Sequence, residues 1–158
     1  MQGELFDRLG VRMEGHVRRD VRGHRRIEFA SGIEHRFESS LDLRAEYYYH
    51  GAGAADVAAY TVAAASPSSS GGYAGRRYMA LGGGYEFTPL LTGDAVAIHN
   101  IDDRSWLLSM NATYSLADEA ELVLNGAIPA GKRPQGSALK SEFGSYPASL
   151  LLEVRAYF

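Results

Sequence analysis

The sequence predicts an all-β protein, an antiparallel up-and-down sheet of eight strands that closes into a barrel. Three observations support this fold class. Apolar and polar residues alternate along eight segments, short and long connections alternate between them, and ionisable residues fall on one face of each segment. Alternation with a period of two is typical of a strand whose two faces meet media of different polarity.

The predicted strands follow one another from Leu9 to the end of the chain. They are Leu9–Val17, Arg26–Phe37, Leu41–Tyr49, Arg77–Phe87, Leu90–His99, Ser105–Leu116, Ala120–Ile128 and Ser149–Phe158. The final strand is typical, because every second residue from Leu150 to Phe158 is apolar. The glycines of the fourth strand lack the context of a phosphate-binding loop, so they predict close packing beneath bulky neighbours.

The connections predict two different ends of the sheet. ESS, TP and ADE form tight turns after the second, fourth and sixth strands, whereas the other connections are longer. Residues 51–75 are rich in Ala, Ser and Gly and predict a loop, within which Asp56–Ala65 could form a short surface helix. Residues 129–147 predict a second long loop. Tight periplasmic turns and longer external loops are the arrangement of a membrane barrel.

Composition excludes several classes of protein. At 158 residues the chain is one domain, 1–158, and its net charge of −3 gives no reason to expect nucleic acid as a partner. The absence of cysteine excludes disulfides and thiolate metal sites. No apolar run is long enough for a membrane-spanning helix. The start, MQGELFDRLG, lacks an export signal, so we expect a mature or engineered chain, or the C-terminal part of a larger barrel.

Ionisable residues are predicted to face the barrel interior, because an Arg or Lys facing lipid at mid-bilayer would cost about 2–4 kcal/mol. The interior set is Arg12, Glu14, Arg18, Arg26, Glu28, Glu34, Arg36, Asp42, Arg44, Glu46, Glu86, Glu121, Glu153 and Arg155. A lumen of eight strands is narrow, so these side chains are predicted to form ion pairs that plug it. The candidate partners are Arg12, Arg36 and Arg44 with Glu14, Glu34 and Glu46.

Two alternatives remain open at this point. The same residues could line a wider, water-filled pore or a fragment of a larger transport barrel, with a weak preference for cations. Period-two alternation also fits a soluble, lipocalin-like ligand-binding barrel, in which the apolar face would point inward.

Aromatic residues favour the membrane interpretation, because amphipathic rings concentrate at the two membrane–water interfaces. Tyr47, Tyr49, Tyr78 and Trp106 fall at the external strand ends, and Phe37, Phe87, Tyr114 and Phe158 at the periplasmic ends. The predicted girdles consist of these eight residues.

The C-terminal half resembles the end of proteobacterial outer-membrane β-barrels, over about residues 86–158. The resemblance lies in NIDDRS before a strand, in SLADEAELVL, and in SEFGSYPASLLLEVRAYF with its final aromatic residue. It implies a location in the bacterial outer membrane, contact with outer-membrane lipid or lipopolysaccharide, and recognition by the barrel-assembly machinery. The implied assembly signal is Val154, Ala156 and Phe158. A structural or surface-interaction role follows, with the oligomeric state left open.

The sequence predicts no catalytic, cofactor or metal site. His99, Asp102, Asp103 and Ser105 cluster near one turn and could suggest a lipid hydrolase, but Asp-Asp there is typical turn chemistry. The five histidines show no metal-ligand spacing. Four loop arginines could bind lipopolysaccharide or a surface partner, although solvated loop charge is the default interpretation; these are Arg22, Arg25, Arg76 and Arg77.

Overall fold

A computed structural model of the chain describes residues 2–6, 9–19, 25–61 and 72–157, and the side chains from residue 9 onward. It contains one sheet of nine strands in sequence order, each antiparallel to the next. They are β1 (Gln2–Phe6), β2 (Leu9–Arg19), β3 (Arg25–Arg36), β4 (Asp42–His50), β5 (Arg77–Thr88), β6 (Leu91–Asn100), β7 (Ser105–Ala117), β8 (Ala120–Ala130) and β9 (Ser149–Ala156).

Strands β2–β9 confirm the eight predicted strands to within two residues at each end, whereas β1 was missed. The tight turns have specific local causes. Phe37 N donates to Leu41 O at 2.8 Å, and Ser40 takes a positive φ of 64° that closes this connection. Thr88 Oγ1 accepts from Leu91 N at 3.0 Å and closes the β5–β6 turn.

The connections only partly follow the predicted alternation of length. Residues 51–76 and 131–148 are long, and 118–119 and 89–90 are short, as predicted. Residues 101–104, however, make a connection shorter than residues 37–41. We call the end that carries residues 51–76, 101–104 and 131–148 the loop end, and the opposite end the turn end.

Every second residue of each strand contributes to one face, and the register keeps these rows aligned across the sheet. Leu81, for example, lies between Ala45 and Ala97, and Leu124 lies between Ala112 and Leu152. The apolar face includes Met13, Val17, Ile27, Phe29, Ile33, Leu43, Met79, Leu81, Trp106, Met110, Leu124, Ile128, Leu150, Leu152 and Val154, all of which are exposed.

The buried residues lie elsewhere. Tyr78, Val123, His50, Asn100 and Ser105 are buried on the opposite, polar face, four of them near the loop end. Additional buried residues belong to the loops, namely Tyr60, Ala74, Ser141, Glu142 and Phe143. The core of this sheet is therefore small, displaced to one end, and largely polar.

The predicted closure into a barrel is not present: the sheet is open, and among the described residues no pairing joins β9 to β1 or β2. Strand direction gives a reason. In a nine-stranded meander β1 and β9 run the same way, so they cannot pair antiparallel. β1 also occupies the outer edge of β2 from Leu9 to Arg12, the edge that an eight-stranded closure would need.

The long loops contain little regular structure. Val57–Ala59 and Phe143–Ser145 are single turns of 3-10 helix, and Asp56 Oδ1 accepts from Ala58 N at the start of the first. The loop predicted over residues 51–75 is therefore confirmed in its described part; the short helix that residues 56–65 could form is limited there to one turn, and residues 62–65 lie outside the described residues. No described helix has the length and apolarity to cross a membrane.

Candidate functional site

The polar face gathers all fourteen residues predicted to face a barrel interior, since the register aligns them on one side of the sheet. Glycines on this face give the charged side chains room to lie across the neighbouring strand. A Cβ at Gly82 would lie 3.0 Å from Arg44 Nε, and one at Gly84 would lie 2.6 Å from Asp42 Oδ2. The glycines of β5 therefore pack beneath bulky neighbours, as predicted.

Arg12 and Glu46 form the ion pair that crosses this face, with Arg12 Nη2 at 2.6 Å from Glu46 Oε2. Gly32 lies between them in the register, which is why the guanidinium on β2 can reach a carboxylate on β4. The pair borders a trough of about 290 Å³ that is also lined by Glu34, Arg44 and Asp94. The side chains of Arg12 and Glu46 are 57% and 34% exposed, so water reaches this ion pair.

Of the six residues predicted as partners, Arg12 and Glu46 form an ion pair, and in the wider interior set Arg155 also pairs with Glu153, with Nε 2.9 Å from Oε1. Arg36, Arg44, Glu14 and Glu34 make no ion pair with each other among the described residues. Glu34 and Arg44 are directly opposed in the register, but Arg44 lies over Gly82 instead. The prediction of a dry network was therefore wrong for this open sheet, because water reaches the charges and removes the need for fixed partners.

Glu28 organises a second group of polar residues nearer the loop end. Its carboxylate lies 3.0 Å from His16 Nε2 and 3.4 Å from His50 Nδ1, and it accepts a hydrogen bond from Tyr48 Oη at 3.5 Å. His50 is buried, whereas His16 is half exposed. No group of described residues has the composition and geometry of a metal site.

The Glu142 carboxylate is fully buried and joins the two long loops to the sheet. Oε1 accepts from Ala74 N at 3.0 Å; Oε2 accepts from Tyr78 Oη at 2.5 Å, Asn100 Nδ2 at 2.7 Å and Gly75 N at 3.3 Å. This one side chain therefore connects strands β5 and β6 to the two long loops, residues 51–76 and 131–148. We call Glu142 with these four donors the Glu142 cluster.

The turn between β6 and β7 is hydrogen-bonded to the backbone on both sides of the Glu142 cluster. Asp103 Oδ2 accepts from Glu142 N at 2.6 Å, and Asp103 Oδ1 accepts from Ser105 N at 2.7 Å. Asp102 Oδ2 accepts from Arg76 N and Arg77 N, and its Oδ1 lies 2.7 Å from Arg77 Nη2. The bond between Asp103 and Ser105 N is the turn chemistry that the sequence predicted. The bonds to Arg76 N, Arg77 N and Glu142 N join segments far apart in the chain and were not predicted.

Aromatic packing completes the enclosure of the Glu142 cluster. The rings of Tyr73 and Tyr78 lie 4.6 Å apart, and Phe143 packs edge-on against both Tyr78 and Tyr146. This apolar surrounding raises the pKa of Glu142, because burial penalises the charged carboxylate, while the four hydrogen bonds partly oppose that shift. The arrangement can hold two loops in place; it presents no nucleophile.

Tyr78 is the clearest misassignment among the predicted girdle residues. It lies on the polar face, is 2% exposed and bonds to Glu142, so it cannot face lipid. Tyr47, Tyr49 and Trp106 do lie on the apolar face at the loop end, and Phe87 and Tyr114 on that face at the turn end. Phe37 is exposed in the adjoining turn.

The predicted assembly signal lies at the outer strand of the sheet. Val154 and Ala156 are exposed on the apolar face of β9, and Phe158 lies outside the described residues. Of the predicted loop arginines, Arg76 donates to Gly53 O at 3.0 Å and Arg77 pairs with Asp102, so both also have structural roles. Arg25 is exposed, and Arg22 lies outside the described residues.

The residues considered for hydrolysis are not brought together. His99 stacks on Trp106 on the apolar face, with ring centroids 4.0 Å apart, whereas Ser105 is buried on the polar face. Ser105 Oγ accepts from Phe143 N at 3.2 Å and has a structural role.

Sequence reasoning missed the Glu142 cluster almost entirely. Glu142, Tyr78 and Asn100 are far apart in the chain, and no local pattern marks them as neighbours. A usable signal existed in Glu142 itself, a lone carboxylate among Ser, Phe, Gly and Tyr in a loop.

When compared with models of known families, with curated proteins and with solved structures, the chain matches none.

Proposed function

We propose that this chain forms the wall of a β-barrel in a bacterial outer membrane, with its apolar face against lipid and its charged face toward the interior. The observation that carries the proposal is the continuous exposed apolar face of β2–β9. Soluble monomers rarely expose apolar patches larger than a few hundred Å². Hydrocarbon is the medium that would cover such a face on every strand.

The position of the aromatic rings supports the same assignment. On the apolar face, Phe29 and Tyr49 stack at the loop end, Tyr85 and Phe87 pack together at the turn end, and aliphatic side chains lie between. Leu116 lies ten positions after Trp106 on β7. At a rise of about 3.3 Å and a tilt of about 40° they would span about 25 Å, the height of the apolar band of such barrels.

A membrane barrel requires closure, since lipid offers no partners to the backbone groups of an open edge. Closure with eight strands would pair β9 with β2 and displace β1. Closure with β1 in place needs an additional antiparallel strand beside β9. Because β1 and β9 run in the same direction, the second arrangement is favoured. It gives a wider barrel in which water reaches the charged face, and this favours a pore or transport role.

The test is a heat-modifiability gel on protein refolded in detergent, with a parallel measurement of solubility without detergent. We expect the unboiled protein to migrate faster than the boiled protein, and the protein to aggregate when detergent is withdrawn. A monodisperse monomer in plain buffer would overturn the proposal and favour a soluble ligand-binding protein. Single-channel recording then separates the two closures, because large, steady open levels indicate the wider pore.

A further inference from the structure

We propose that the loop end of the apolar face binds the phosphate group of an anionic membrane lipid through Arg19 and Arg25, an inference that rests on the proposed membrane location. These two residues face each other across β2 and β3 in the register, on the apolar side of the sheet. Both are exposed, and among the described residues neither makes an ion pair. We call them the arginine pair.

Two like charges placed directly opposite each other on a strand pair are destabilising unless something lies between them. An anion is the natural occupant, and the planar guanidinium matches the oxygens of a phosphate. No described strand residue of the apolar face carries a carboxylate, so no described strand offers the arginine pair a counterion on that side.

The arginine pair lies at a distance from the aromatic rings that matches the position of lipid headgroups. Arg25 lies four residues beyond Phe29, whose ring stacks on Tyr49 at a centroid distance of 5.5 Å. Four residues correspond to about 13 Å along a strand. If the aromatic rings mark the edge of the hydrocarbon, the guanidinium groups reach the polar layer beyond it, where lipid phosphates lie.

The turn end provides an internal contrast. Its apolar face ends in Phe37, Tyr85, Phe87 and Tyr114 without a described Arg or Lys, and its turns carry Glu38, Asp118 and Glu119. The two ends of the apolar face therefore differ in charge, which predicts that only the leaflet at the loop end supplies a bound anionic lipid.

Native mass spectrometry of protein refolded in neutral detergent tests this, with phosphatidic acid as the probe and phosphatidylcholine as the neutral lipid. The double variant Arg19→Gln/Arg25→Gln is compared with Arg36→Gln/Arg44→Gln, which removes the same charge from the polar face. We expect the first variant to bind phosphatidic acid about 30-fold more weakly, as about 1 kcal/mol for each arginine implies, and the second to bind like the wild type.

Equal weakening in both variants would overturn the proposal, because it would indicate a general effect of net charge. The proposal would also be overturned if the wild type and the first variant bound phosphatidic acid with equal affinity. Addition of inorganic phosphate separates the sources: if it displaces phosphatidic acid at equal concentration, the site recognises free phosphate rather than lipid. The heat-modifiability gel is run first on each variant, so failure to form a membrane barrel is seen separately from failure to bind lipid.

Discussion

The Glu142 cluster and the apolar face of β2–β9 invert the usual distribution of polarity in a globular domain. In the cluster, a carboxylate, an amide, a phenol and backbone amides are buried and mutually bonded. On the apolar face, Leu, Ile, Val, Met and aromatic side chains are exposed. The buried hydrogen bonds of the Glu142 cluster therefore stabilise one arrangement of the loops. The exposed apolar face of β2–β9, in contrast, depends for its stability on the medium that covers it.

Removal of the buried carboxylate should give the largest effect. Glu142→Ala leaves Ala74 N and Tyr78 Oη without another acceptor among the described residues, whereas Gly75 N and Asn100 Nδ2 keep other hydrogen bonds. At about 2 kcal/mol for each unsatisfied buried donor, we expect a loss of about 4 kcal/mol in the free energy of unfolding. Denaturant unfolding of the refolded protein measures it. Glu86→Ala, at an exposed position on the same face, is the control and should change stability by less than about 0.5 kcal/mol. Equal effects of the two would show that the cluster does not hold the loops.

A pair of substitutions on β9 tests what covers the apolar face. Leu152 is 63% exposed on the apolar face and Leu151 is 57% exposed on the polar face, so the two differ chiefly in the side of the sheet. In lipid, Leu152→Arg should cost about 2–4 kcal/mol and Leu151→Arg much less. Unfolding in lipid vesicles measures both. If both substitutions are equally tolerated, the apolar face is not in hydrocarbon.

The titration of Glu142 should make the loop end dependent on pH. Because burial raises its pKa, the folded state holds the proton to a higher pH than the unfolded chain does. The resulting stability is fully present below the ordinary pKa of 4.5 and is lost as the pH rises through the folded value. The unfolding midpoint of the wild type should fall over that range, while that of Glu142→Gln should not. A parallel fall in the variant would assign the dependence to other groups.

The smallest effect is expected at Arg12, in contrast to the buried cluster. Its ion pair with Glu46 is wet, so Arg12→Gln should cost about 0.2–1 kcal/mol and the cost should shrink as salt is added. Denaturant unfolding at low and high salt measures this. A larger loss that is insensitive to salt would indicate that the trough is closed and dry in the folded protein.

The sequence predicted the strands and their faces closely. Leu9, Arg77, Ser105, Ala120 and Ser149 begin strands where the alternation predicted them. The pattern succeeds because side-chain direction in a strand is fixed by the local backbone, so a residue's parity determines its face. The girdle assignment of Tyr78 failed because it considered only the position near a strand end, whereas parity places this ring on the polar face.

The sequence by itself therefore determined the meander, its register of apolar and charged faces, and the position of the charged set, since each follows from geometry that repeats every two residues. Only the tertiary structure decided that Glu142 is buried beside Tyr78 and Asn100, that Gly32 lets Arg12 reach Glu46, and that β1 holds the edge of β2. The physical reason is distance along the chain. Contacts between remote segments depend on how loops and edges meet in space, and no local periodicity records that.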